Sequence, residues 1–116
     1  MPTALELAGA QRPPHVFFHS LLPLLNAERQ TSPYESIYGA YLELQRAVTH
    51  DGWKLIAYPQ VGVLRLYDLT ADPLEMTDLA DDPRQASRKS ELFRRLVALQ
   101  GKLGDKLDLG SAFPQR

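Results

Sequence analysis

The chain has 116 residues, is 44% hydrophobic and 23% charged, and carries a formal net charge of −1 with no cysteine. That length suits one domain with a modest core. The missing cysteines exclude disulfides, thiolate metal sites and a cysteine nucleophile. The near-neutral balance supplies no basic field for nucleic acid, and no apolar run approaches a membrane span.

Residues 3–8 read as the last turns of a helix, with Leu5 and Ala8 on one face and Gly9 as a left-handed C-cap. Pro13-Pro14 enforces an extended connection. Ser20 is placed to N-cap a short turn over residues 21–25, where Pro23 falls inside the first turn and its missing N–H is harmless. The polar stretch 26–33 reads as a loop. The first residues, MPTALELAGAQRPP, lack the basic start and unbroken apolar stretch of a signal peptide, and the compartment is left open.

Four strands are expected next. Residues 35–41 are rich in Tyr and Ile, and Gly39 marks a bulge or a close backbone approach. Residues 45–49 form a second strand, and His50-Asp51-Gly52 is the turn, because Asp-Gly tolerates the positive φ a tight hairpin needs. Residues 53–58 return antiparallel, with Trp53, Leu55 and Ala57 on one face and Lys54, Ile56 and Tyr58 on the other. Residues 64–69 follow a turn at 59–62. Residues 72–82 read as an ordered loop in which Asp72 and Glu75 bond backbone groups. Asp82 caps a last helix with Pro83 at its first position; the helix runs to about Leu103 on Leu92, Leu96, Leu99 and Leu103, and Gly104 ends it. Residues 111–116 are expected to fray. The fold class is therefore α+β, a small antiparallel sheet of about four strands with one long C-terminal helix packed across it.

Several polar residues have two readings each. His50, at the hairpin tip, is either a solvated turn residue or a donor facing a substrate. Arg46 is expected to pair with Glu35 or Asp68, the other reading being a cleft-facing cation. Tyr38 and Tyr41, three apart on a strand, face opposite sides, one toward the core and one toward a domain interface. His15 and His19 have metal-binding spacing only on a helix, which Pro13-Pro14 opposes, and no third ligand is near. Asp81-Asp82 is read as helix capping rather than metal binding. No nucleophile-elbow motif exists.

Lys54-Leu55-Ile56, Leu66-Tyr67-Asp68-Leu69 and Asp72-Pro73-Leu74-Glu75-Met76-Thr77-Asp78-Leu79 resemble the tail of the sulfatase family, of the alkaline-phosphatase-like superfamily. Its N-sulfoglucosamine sulfohydrolase, arylsulfatase and choline-sulfatase types carry such a tail. Met1 to Gly9 resembles the last helix of the family's large domain, and Ser20-Leu21-Leu22-Pro23-Leu24-Leu25 resembles a segment that follows it. The resemblance implies that residues 1–26 are the end of the large domain and its connection, a short helical remnant in which Met1 is internal to a longer protein. It implies that residues 27–116 are the C-terminal subdomain. The family uses a calcium-type divalent metal and a formylglycine made from Cys or Ser in a Cys/Ser-x-Pro-x-Arg motif. That motif is absent here, as are the Asp-Asp and Asp-x-x-His-Gly metal segments.

The resemblance therefore implies a chain without catalytic residues, metal ligands or cofactor of its own, inactive alone. Its partner would be the sulfatase catalytic domain, and its role to border the substrate cleft with Tyr38, Tyr41, Arg46 and His50. Apolar residues among Leu5, Phe17, Phe18, Leu21 and Leu25 would meet the large domain, or favour self-association without it. The alternative is a stand-alone, non-catalytic binding module.

Overall fold

A computed structural model describes residues 1–114 of the chain. They divide into two compact units, residues 1–35 and residues 36–114.

The first unit holds α1 (Pro2–Leu7) and α2 (Leu22–Leu25). Gly9 takes φ +63° and closes α1, with its N–H donating to the Glu6 carbonyl and the Ala10 N–H donating to the Leu5 carbonyl. The Ser20 hydroxyl accepts from the Leu22 N–H at 3.1 Å, but the helix starts one residue later than expected, with Leu21 and not Ser20 at the N-cap position. The Leu21 N–H is bonded by the Thr3 hydroxyl at 3.0 Å, tying α2 to α1. No side chain of residues 1–35 is buried, and Phe17 and Leu25 are 67% and 72% exposed. This unit has no core of its own.

The second unit is a four-stranded antiparallel meander, in order β1 (Ser36–Tyr41), β2 (Gln45–His50), β3 (Trp53–Tyr58) and β4 (Val63–Asp68). The β2–β3 hairpin turns on Asp51 (φ +48°) and Gly52 (φ +72°), the pair of positive φ angles that a two-residue loop requires. His50 is thus the last residue of β2, opposite Trp53, and not part of the turn. Strand β1 pairs residue for residue with β2, and Gly39 lies opposite Ala47 with room for a Cβ. Neither the expected bulge nor a close approach occurs there.

A 3₁₀ turn (Pro83–Gln85) leads into α3 (Ala86–Lys102). The Asp82 carboxylate accepts from the Arg84 N–H, so the expected N-cap stands, although the first turn is 3₁₀. Helix α3 lays Leu92, Phe93 and Leu96 on one face of the sheet, against Val48, Leu55, Ala57, Leu64 and Leu66. Trp53 is half-buried at the margin of this core, with the Arg88 guanidinium 5.5 Å from its ring centre. Gly104 ends the helix at φ +70°.

The residues after α3 depart from expectation. Residues 109–112 form a short helix, α4 (Leu109–Ala112), capped by Asp108, whose carboxylate accepts from the Ser111 N–H at 3.0 Å. Leu109 and Phe113 enter the core, and the Phe113 ring meets Phe93 edge-on at 5.5 Å. Burial of two large apolar side chains offsets the ordering entropy that fraying would have saved. The expectation of fraying at Gln115 and Arg116 lies outside the described residues.

Candidate functional site: a buried arginine hub and an open sheet face

The alternation of the strands separates two faces. Tyr38, Arg46, Val48, His50, Trp53, Leu55 and Ala57 stand on the helix side. Ile37, Gly39, Tyr41, Ala47, Thr49, Lys54, Ile56, Tyr58, Arg65 and Tyr67 stand on the other. Two of the four sequence-predicted site residues, Tyr38 and Arg46, are brought together. His50 stands apart from them on the same face, and Tyr41 is on the opposite face.

Arg46 is 5% exposed. Its Nε and Nη2 donate to the two carboxylate oxygens of Asp105 at 2.5 and 3.1 Å, a bidentate geometry. Its Nη1 donates to the carbonyls of Leu42 at 2.6 Å and Gln45 at 2.9 Å. The carboxylate partner is therefore neither Glu35 nor Asp68. Asp68 instead accepts from the Thr70 and Ala71 N–H groups and shapes the turn after β4. The Leu42 contact has a local reason: Leu42 sits at φ +47°, a costly conformation for a branched side chain, and the guanidinium holds its carbonyl there.

Tyr38 completes the cluster by donating its hydroxyl to Asp105 at 2.5 Å. The Leu107 N–H is a further donor to the same carboxylate, at 3.0 Å. Asp105 is held well below the usual carboxylate range, first by the Arg46 hydrogen bonds and then by Tyr38 and the Leu107 N–H. Burial, and then the bond to the Asp105 anion, push the Tyr38 hydroxyl upward. The hub ties the β1–β2 turn to the segment after α3, and all three Arg46 side-chain nitrogens donate within the protein.

His50 places Nδ1 3.1 Å from the Ser36 hydroxyl and is half-buried. Tyr41 ends β1 at 58% exposure. On the open face the Lys54 ammonium is bound by both oxygens of Glu75 at 2.8 and 3.0 Å, and Arg65 by Asp78 at 3.1 Å. Glu75 thus acts through an ion pair rather than the backbone bonds expected of it, while Asp72 does accept from the Thr77 N–H at 2.8 Å. By register Lys54 is beside Tyr67 and Arg65 beside Ile56, and their stems flank these two buried side chains.

Among the described residues no group of three or more His, Asp or Glu converges to hold a metal ion. The chain carries no Cys and no Cys/Ser-x-Pro-x-Arg segment. No helix of the described residues is long and apolar enough to cross a membrane. Sequence reasoning missed Asp105. Its one local signal is a lone carboxylate directly after the Gly104 cap, which names no partner.

Residues 1–102 match the family described as N-sulphoglucosamine sulphohydrolase, C-terminal. The chain belongs to this sulfatase C-terminal family. It is 31% identical over 111 residues to arylsulfatase K of Xenopus laevis, covering 83% of this chain and 21% of that protein. It is 37% identical over 89 residues to choline-sulfatase of Rhizobium meliloti (strain 1021), covering 72% and 17%. A structure solved in complex with its substrate D-glucosamine-2-N,6-O-disulfate superposes with a TM-score of 0.77 at 27% identity, over 90% of this chain and 24% of that one. The chain thus spans about a fifth of the curated relatives' length.

Proposed function

We propose that this chain is the C-terminal subdomain of a sulfate-ester hydrolase, packing on a catalytic domain that supplies the nucleophile and the metal, and bordering the substrate cleft. The observation that supports this best is the family match over residues 1–102 together with the matching α+β fold. The coreless apolar surface of residues 1–35 agrees with it, because Phe17, Phe18, Leu21 and Leu25 find no burial within their own unit.

In this reading the Arg46–Asp105–Tyr38 hub is a positioning element. It holds the β1–β2 turn in one conformation, and with it Tyr41 at the end of β1. Substrate contact falls to Tyr41, not to Arg46, whose guanidinium is spent on Asp105 and two carbonyls, nor to His50, which stands on the face opposite Tyr41 at the far end of β2.

The test is a chimera in which this chain replaces the matched segment of the choline-sulfatase, assayed on choline sulfate and on an aryl sulfate. Restored turnover, with Tyr41→Ala raising KM and sparing kcat, is the expected result. A folded chimera that binds neither ester overturns the reading. The alternative, a stand-alone binding module, is favoured by one observation: residues 36–114 enclose a complete core of their own.

A further inference from the structure

The two edges of the sheet are finished differently. At the β4 edge, the Leu66 N–H donates to the Asp78 carboxylate at 2.9 Å and the Leu66 carbonyl accepts from the Leu79 N–H at 2.8 Å. The segment around 78–80 thereby occupies the groups another strand would need. Charged Arg65 stands on the same strand. Both are recognised ways of blocking an edge.

The β1 edge has neither device. Its six residues, Ser-Ile-Tyr-Gly-Ala-Tyr, include no charge and no proline, and its pairing with β2 is unbroken by a bulge. Within residues 36–114, no backbone bond is made by residues 37–40 other than to β2. Alternate N–H and C=O groups of β1 therefore point away from β2 with nothing in this unit to receive them.

We propose that this edge pairs with β1 of a second copy of the chain, antiparallel about Gly39, to make one continuous eight-stranded sheet. Three features choose a second copy. The six strand residues are neutral, so pairing them with themselves sets no like charges opposite each other within the strand. With Gly39 opposite Gly39 of the other copy, Ile37 meets Tyr41 and Tyr41 meets Ile37. These are the exposed large apolar side chains of β1, at 53% and 58%, and both stand on the open face. An aromatic side chain opposite a β-branched one is a favourable cross-strand pair. Finally, this register keeps the α3 helices on the same face of the joined sheet, whereas a one-residue slip would set them on opposite faces. The inference does not rest on the sulfatase reading.

The experiment is sedimentation equilibrium of the 116-residue chain from micromolar to about 1 mM, with hydrogen exchange of residues 36–41 measured at both ends of the range. A dimer whose β1 amides gain protection as concentration rises is expected. The double variant Ile37→Lys/Tyr41→Lys changes only exposed open-face side chains; it should keep its circular dichroism and melting curve while its dimer dissociates at least tenfold more readily. A monomer throughout overturns the proposal. So does a dimer that the lysines leave intact, which assigns association to other surfaces. Protection of β1 that is independent of concentration also overturns it, by giving the edge an occupant within the same chain.

Discussion

Arg46 on β2 and Asp105, 59 residues later, meet at 2.5 Å and join the first hairpin of the sheet to the chain beyond the long helix. The contact is shielded, with side-chain exposures of 6% and 17%. A bidentate pair that is also fed by Tyr38 and the Leu107 N–H satisfies nearly every polar group it buries.

Removing one partner leaves the other charged and shielded from water. Arg46→Ala and Asp105→Asn should each cost about 3 kcal/mol in urea unfolding. The double variant should cost less than the sum of the two, because the orphaned charge is gone. Additive losses would show that the two groups act independently.

The hub predicts acid sensitivity of a defined sign. Asp105 titrates below its unfolded value when folded, so its contribution is complete above the ordinary aspartate range near 4 and is lost as pH falls through and below it. Tyr38 is shifted upward when folded, so its contribution is complete below about 10 and fades as pH rises above it. Melting temperature against pH should therefore fall at both ends. Asp105→Asn should flatten the acid limb, and Tyr38→Phe the alkaline one.

Trp53 lies at the edge of the core, not its centre. Full burial would imply a loss of about 3–5 kcal/mol on truncation; half-burial places Trp53→Ala at about 2–3 kcal/mol. Leu96, fully buried on the inner face of α3, should lose as much or more as Leu96→Ala. Thermal unfolding of both variants ranks the two positions, and a larger loss at Trp53 would contradict the packing.

Two glycines should respond to alanine with opposite signs. Gly52 takes φ +72°, and a Cβ there would lie 2.5 Å from the Thr70 hydroxyl, so Gly52→Ala should destabilise by about 1–3 kcal/mol. Gly101 lies inside α3 with open space around it, so Gly101→Ala should stabilise by about 0.5–1 kcal/mol. Denaturant midpoints measure both.

Local chemistry made most of the architecture legible in the sequence. Asp51-Gly52 announces a two-residue hairpin because both positions need positive φ. Period-two alternation assigns Leu55 and Ala57 to the buried face, and Leu92, Leu96 and Leu99 mark the helix stripe. Ser20, Asp82 and Gly104 announce helix ends through bonds that span only a few residues. Such signals are carried by neighbours in the chain, so the chain alone contains them. The same holds for the family resemblance, which rests on residue types in order.

Tertiary structure decided what depends on residues far apart. Arg46 had two carboxylates of plausible placement, and the partner proved to be Asp105, which only the path of α3 across the sheet brings near. His50 moved from turn to strand because the register of β2 and β3 pairs it with Trp53. Phe113, at an end expected to fray, became core because Phe93 offers it an apolar edge. The unequal finish of the two sheet edges was likewise set by where residues 69–82 fold back. By itself the sequence determined the elements, their order and their inward faces, through spacing and local hydrogen bonds. The fold decided which polar groups meet and which edge stays open, because those follow from distances that sequence separation does not encode.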